Sequence, residues 1–379
     1  MVQFLQNYLL YYLLENMGKS NIIISTFHCV PNYGAVLQAF CLQEYLGQYA
    51  DQVQILNYCP RALTDEYKNI NFYSLGSIVM SILTLPNFLK KKKAFKNFEH
   101  NYLKLTSSKY FKQEHIADFS DYSVVVGSDQ IWNPQITAGF DSVYFGQWPA
   151  SKVSKIVSYA ASIGKGNYSD EEKSVIKRLL EKVHAISVRE NEANTILTQE
   201  LNICKPVTTV LDPTLLAGAS ILQKLVKPVS YKKYLLIYNL TGNPILNKLA
   251  EEVALKKGLR IVEICGKRVL KKSSKEHTII LDAGPIEFVS LFNQADYVVT
   301  DSFHGTAFSI IFHRPFITVP HKTRGSRMIN LLSKAGLMDR LSDSFSDSLC
   351  NQTIDWNSVD DNIAKERAIS ENFISENIL

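Results

Sequence analysis

No stretch of this 379-residue sequence is apolar for long enough to cross a bilayer. The opening MVQFLQNYLLYYLLEN is apolar but lacks a basic start and a small-residue cleavage site, and it carries Glu15, so it does not read as a signal peptide. It reads as an interfacial helix, or as residues that precede a true start at Met17. The six cysteines (Cys29, Cys41, Cys59, Cys204, Cys265 and Cys350) include no CxxC pair and no histidine at ligand spacing. Reduced thiols of a cytoplasmic protein are expected, at most at the inner face of the membrane, with no disulfide framework and no metal. Strong charge is also missing. A net charge of +5 suits an acidic substrate or an anionic membrane surface, but it is too weak to indicate nucleic acid. Short-period repeats and low-complexity segments are absent, apart from the run Lys90–Lys93.

The length and a hydrophobic content of 46% predict about two globular domains. The chain is organised around Tyr297–Pro315, YVVTDSFHGTAFSIIFHRP. Tyr297–Thr300 reads as a buried strand, Asp301 and Ser302 as helix-capping residues, and Ala307–Phe312 as a buried helix that Pro315 stops. A helix N-terminus there offers free N–H groups to a phosphate or carboxylate. Capping alone also explains Asp301 and Ser302, and His304 would then be incidental.

Ile22–Ser25, a loop with Pro31–Gly34 and a helix Ala35–Leu46 open a doubly wound α/β domain. Residues 60–115 break that rhythm. Ser77–Leu89 is apolar and ends in Lys90–Lys93; it either lies on an anionic membrane or forms a helical insertion with its lysines in water. A separate amphipathic helix is predicted over Phe95–Tyr102. Further strands are followed by polar residues at their carboxyl ends: Ser128, Asp129 and Gln130, then Ser162, then Arg189 and Glu190, then Asp212. Open α/β sheets place ligands there. Asp212-Pro213 also reads as a helix cap with proline in the first turn. A polar segment from Leu216 to Lys233 is the expected hinge. A second α/β unit follows, with a basic loop Lys267–Lys275, Arg324 and Arg327 near a helix N-terminus, and a helical tail from Asp355 able to cross back to the first domain.

Phe27-His28 with Asn32–Ala39, then Val126–Pro134, Tyr159–Ser162, Ile186–Glu190, Leu211–Thr214 and Thr300–Thr306, in that order, closely resemble the polysaccharide pyruvyl transferase family. The resemblance runs from about Ile22 to Leu341. It implies two Rossmann-like domains facing across a cleft, similar to GT-B glycosyltransferases: residues 1–216 with the helical insertion, and the donor-binding residues 217–379. It also implies phosphoenolpyruvate as donor, a sugar or lipid-linked glycan as acceptor, pyruvate-ketal formation, and no cofactor. The family's histidine and arginine fall on His304 and Arg189. Asp301 is expected to orient His304. The donor's anionic groups are expected on Ser302, Gly305, Thr306 and Arg327, with Ser128 and Asp129 beside them. His28, Asn32, Tyr33, Gln130 and Trp132 are expected to line the acceptor side. A nucleotide-sugar glycosyltransferase and a non-catalytic glycan-assembly protein are the other readings of such a fold.

Overall fold

Ile22, Ile23 and Ile24 are all fully buried, as are Val124–Val126 and Leu235–Ile237. Strands that are apolar on both faces belong to parallel sheets covered by helices on each side. The computed structural model, which describes residues 20–65, 75–153, 155–164, 168–265, 273–320 and 325–379, contains two such sheets. The expectations for residues 1–17, for Arg324 and for most of the loop Lys267–Lys275 lie outside the described residues.

The first sheet comprises β1 (Asn21–Ser25), β2 (Gln52–Ile55), β3 (Ser123–Val126), β4 (Ile156–Ala161), β5 (Ala185–Val188) and β6 (Val207–Thr209), in the order β2-β1-β3-β4-β5-β6. The second comprises β7 (Tyr234–Asn239), β8 (Arg260–Cys265), β9 (His277–Ile280), β10 (Tyr297–Thr300) and β11 (Phe316–Thr318), in the order β11-β10-β7-β8-β9. Strand order reverses at β1/β3 in one and at β7/β10 in the other. These are the switch points at which open α/β sheets bind ligands.

Among the helices, α1 (Tyr33–Leu46), α2 (Leu75–Tyr102), α3 (Asp170–Glu181) and α4 (Pro213–Leu222) lie before the second sheet. The helices α5 (Pro244–Lys257), α6 (Pro285–Gln294), α7 (Phe303–Ile311), α8 (Ser326–Ala335) and α9 (Trp356–Asn377) follow β7. Asn32 caps α1, and Asp212 caps α4 with Pro213 in the first turn. The two helices expected at 77–89 and 95–102 are one: α2 continues through Pro86. Ser158 and Ser187 bridge β4 and β5 where their register shifts. Each serine hydroxyl donates to the other's carbonyl, at 3.0 and 2.8 Å.

One apolar core runs through both halves, joining Ile24, Phe40 and Leu216 to Leu236, Phe288 and Phe308. Tyr33 sits in it, its hydroxyl donating to the Ala283 carbonyl at 2.8 Å and its ring stacked on Phe288 at 4.3 Å. The connecting segment is pinned to α6 by Lys227 N–H donating to Ser290 Oγ and by Gln294 Nε2 donating to the Lys227 carbonyl. Helix α9 returns to the first half, where Ser370 Oγ accepts from the Leu211 N–H at 2.9 Å.

Candidate active site

The carboxyl ends of β3, β4 and β5 face the N-terminus of α7, and His304 crosses between them. Its position depends on Gly34. A Cβ at that residue would stand 2.2 Å from His304 Nδ1, so only glycine lets the first turn of α1 come so close. Gly305 is required for the other side of the turn, since a Cβ there would meet Thr300 Oγ1 at 2.2 Å and lift α7 off β10.

Arg189, at the end of β5, is buried with 3% of its surface exposed. Its Nη1 donates to Asp212 Oδ2 at 2.8 Å and its Nε to Glu190 Oε1 at 3.0 Å. Asp129 Oδ1 lies 3.9 Å from Nη2, and the ring of Phe303 covers the guanidinium at 4.8 Å. Nη2 itself has no hydrogen-bond partner. His304 Nε2 lies 3.9 Å from Asp212 Oδ2, beyond hydrogen-bond reach, and is likewise buried without a partner. A third such atom is Ser162 Oγ, one residue beyond β4, whose Ala161 carbonyl accepts from the Arg189 N–H. Buried polar atoms are nearly always paired, so three on one rim mark a place built to receive polar groups.

Burial moves the proton equilibria there. It lowers the His304 pKa below the ordinary 6.5, with Arg189 adding to this and Asp212 opposing it. The imidazole is therefore neutral at neutral pH. Burial would raise Asp212, but the charge of His304 once it is protonated, together with Arg189, outweighs this and lowers the carboxyl from 3.8. Burial would likewise lower Arg189, and Glu190, Asp212 and Asp129 reverse that.

Several expected residues have other work. Asp301 does not orient His304: its carboxylate accepts from the Leu240 and Thr241 N–H groups, at 2.8 and 3.2 Å, and from the Thr241 hydroxyl, tying the α7 turn to the loop after β7. The carboxylate facing His304 is Asp212. Thr306 turns inward, its hydroxyl on the Ser302 carbonyl and on Thr318 Oγ1. Ser128 is fully buried and donates to the Ala160 carbonyl, so it braces the rim. Ser302 stands at the N-cap of α7 but makes no side-chain capping bond. Arg327 does reach the cleft: with its amide oxygen turned toward it, Gln130 accepts from both terminal guanidinium nitrogens at 2.6 and 2.8 Å.

On the expected acceptor side, only Gln130 joins this group. Trp132 is fully buried, stacked on Phe145 and donating to the Tyr144 carbonyl. Tyr33 belongs to the core between the sheets, and Asn32 accepts from the Ala35 N–H as a cap. His28 is buried with its Nδ1 on the Thr26 carbonyl and its Nε2 toward Cys59. Sequence reasoning missed Gly34, Phe303 and Gln38, which is fully buried and donates to Thr26 Oγ1 while accepting from the Ser128 N–H. An uncharged polar residue amid the apolar positions of α1 was the available signal for Gln38.

The sequence model described as polysaccharide pyruvyl transferase matches residues 32–323. No curated protein matches the chain significantly. Among solved structures, a UDP-N-acetylglucosamine 2-epimerase from Rickettsia bellii is similar with a TM-score of 0.51 at 10% identity, over 94% of this chain and 95% of that one. A UDP-GlcNAc 2-epimerase from Methanocaldococcus jannaschii has a TM-score of 0.46 at 13% identity, over 94% and 93%. The glycosyltransferase SnogD from Streptomyces nogalater has 0.43 at 11%, over 94% and 95%. The first of these, at 10% identity, speaks to the fold alone, and with the two parallel sheets it gives two Rossmann-like domains facing across a cleft, in the GT-B manner. With most of its length matched, and with Asp129, Ser162, Arg189, Asp212 and His304 all within the match, the chain belongs to the polysaccharide pyruvyl transferase family.

Proposed function

We propose that the protein transfers pyruvate from phosphoenolpyruvate onto two hydroxyls of one sugar, as a ketal, in a cell-surface glycan or its precursor. The observation that carries this reading is the pair of buried, unpartnered atoms where the domains meet, His304 Nε2 and Arg189 Nη2. The donor brings a carboxylate and a phosphate. The charge of Arg189 is already matched by Asp212 and Glu190, so its contribution is one directed N–H rather than a long-range pull. Arg327 and the N–H groups at the start of α7 supply the remaining donors for the anion.

The proton account closes on His304. A neutral imidazole takes the proton from the attacking sugar hydroxyl as the oxygen bonds to C2 of the donor. As the C2–O bond forms, the electron pair of the C2=C3 double bond takes that proton back from the imidazolium and completes the methyl group at C3, so no charge is left on that carbon. When the second hydroxyl adds, the C2–O bond to phosphate breaks, and the leaving phosphate carries away that hydroxyl's proton. Asp212 stabilises the imidazolium in between.

We also propose that α2 rests on an anionic membrane, where a lipid-linked acceptor would be held. Val79, Ile82, Leu83 and Leu89 are 49–63% exposed on one helical face, while Ser81 and Thr84 are buried on the other. This inverted pattern continues into the exposed Lys90, Lys92 and Lys93. No described helix is long and apolar enough to cross a membrane.

The test is to incubate purified protein with phosphoenolpyruvate, or with UDP-sugars, and a panel of glycan acceptors. Ketal formation with equimolar phosphate release is expected. Consumption of a UDP-sugar with no ketal would replace this reading with glycosyl transfer, and no product from any donor would favour a non-catalytic role.

A further inference from the structure

The loops after β1 and β2 leave the same end of neighbouring parallel strands. That topology brings together three residues that the sequence separates. His28 and Cys29 lie on the first loop and Cys59 on the second, with one ligand atom of each within 4.8 Å of the other two. The cysteines have no histidine at metal-ligand spacing along the sequence, and the fold supplies one in space.

The details are those of a preorganised donor set. His28 Nε2 and Cys59 Sγ are 3.9 Å apart. Metal bonds of about 2.3 Å to sulfur and 2.0–2.1 Å to nitrogen put tetrahedral ligands roughly 3.5–3.8 Å from one another. The other ring nitrogen of His28 lies 3.2 Å from the Thr26 carbonyl. Donating there fixes the tautomer that leaves Nε2 with its lone pair toward the sulfurs, the usual outer support of a metal-bound imidazole. His28 and Cys59 are each 1% exposed, whereas Cys29 is partly exposed and leaves an entry path. The Cys59 backbone is held by the Tyr110 carbonyl, so the two loops do not depend on a ligand for their placement.

We propose that His28, Cys29 and Cys59 bind a borderline-soft divalent metal of the Zn(II) class, with a fourth position open to water or to Asn57, whose Oδ1 lies 3.8 Å from Cys59 Sγ. Both cysteines bind as thiolates and release their protons to solvent. The donor set then carries two negative charges. Lys109, beside Cys59, balances one of them at most, and a divalent ion balances both. Sulfur and imidazole together select such ions over magnesium or calcium. The site does not depend on the proposed reaction. It straps the loop that leads into Gly34 and so steadies the wall against His304.

The test uses the full chain, stripped of metal under reducing conditions and titrated with Co(II), then Zn(II). One equivalent of Co(II) should give thiolate-to-cobalt charge-transfer absorption, which Zn(II) then abolishes by displacement. Cys29→Ser, at the partly exposed position, and Cys59→Ser should each lose that absorption as it stands in the wild type, and Cys204→Ser should keep it. Melting curves identify any variant that fails to fold, and Cys29→Ser carries the test if Cys59→Ser does. No charge transfer in the wild type overturns the proposal. So does unchanged absorption in folded Cys29→Ser. A count of four free thiols in place of six in the protein purified without reductant, with Cys29 and Cys59 linked, would show a disulfide instead.

Discussion

The imidazole of His304 occupies space that only a glycine at position 34 leaves open. Gly34→Ala should therefore displace His304 and lower turnover by roughly 100-fold, the scale of a small misplacement in an active site. Alanine favours the helix by about 1 kcal/mol, so the melting temperature should barely fall. Wild-type kcat in Gly34→Ala would show that the approach is unimportant. Arg189 makes a different prediction. Removing it leaves Asp212 and Glu190 buried with no counter-charge, so Arg189→Met should cost about 3–5 kcal/mol in a denaturant titration. A neutral effect on stability would mean that the arginine serves the donor alone. The lowered His304 pKa has a signed consequence for stability. Below pH 6.5 the unfolded chain takes up the proton before the folded one, so the fold loses stability from there down to the lowered value. His304→Asn lacks that loss, and its melting temperature should gain on the wild type as pH falls below 6.5. A difference that stays flat with pH would contradict burial of a neutral imidazole. At this scale the sequence shows residue types but not their directions. Asp212 reads as a cap and is one through Oδ1, yet its other oxygen faces Arg189 and His304. Trp132 and Tyr33 lie in motifs beside the cleft, and their rings point into cores.

Helix α2 is the element least anticipated by its sequence. A proline usually ends a helix, so two pieces are the natural reading. The lysine run also divides. Lys91 turns inward over the Tyr33 ring at 4.6 Å, and burial lowers its pKa to about 8, while its neighbours face water. Membrane binding should therefore be tested with Lys91 intact. Replacing Lys90, Lys92 and Lys93 by serine should weaken binding to phosphatidylserine vesicles by about 1 kcal/mol per lysine. Unchanged binding would remove the membrane role of this helix. The strands, by contrast, were legible. Runs such as Ile22-Ile23-Ile24 and Tyr297-Val298-Val299 are too apolar for any element but a covered strand. The short β6 was not, because Val207-Thr208-Thr209 is only partly buried and precedes a cap.

The two sheets share a core, and this sets how the whole molecule behaves. A large apolar interface opposes free motion between domains. Helix α9 adds Phe373 and Ile374 to that core. Heat or urea should unfold both halves in one transition, coincident by fluorescence and circular dichroism. Tyr33→Ala should lower that midpoint, costing about 3–5 kcal/mol as a large core ring is lost. Two resolved transitions would show that the halves are independent. That the domains face one another was implied by the family resemblance, but their shared core was not legible, because contacts such as Tyr33 with Ala283 join residues far apart in the chain. The central claim is that His304 carries the proton of ketal formation. It is tested most directly by the single-turnover rate with phosphoenolpyruvate and a reactive acceptor, per folded molecule, for wild type and His304→Asn. The account predicts a rate lower by roughly 10²–10⁴ in the variant; equal rates would contradict it.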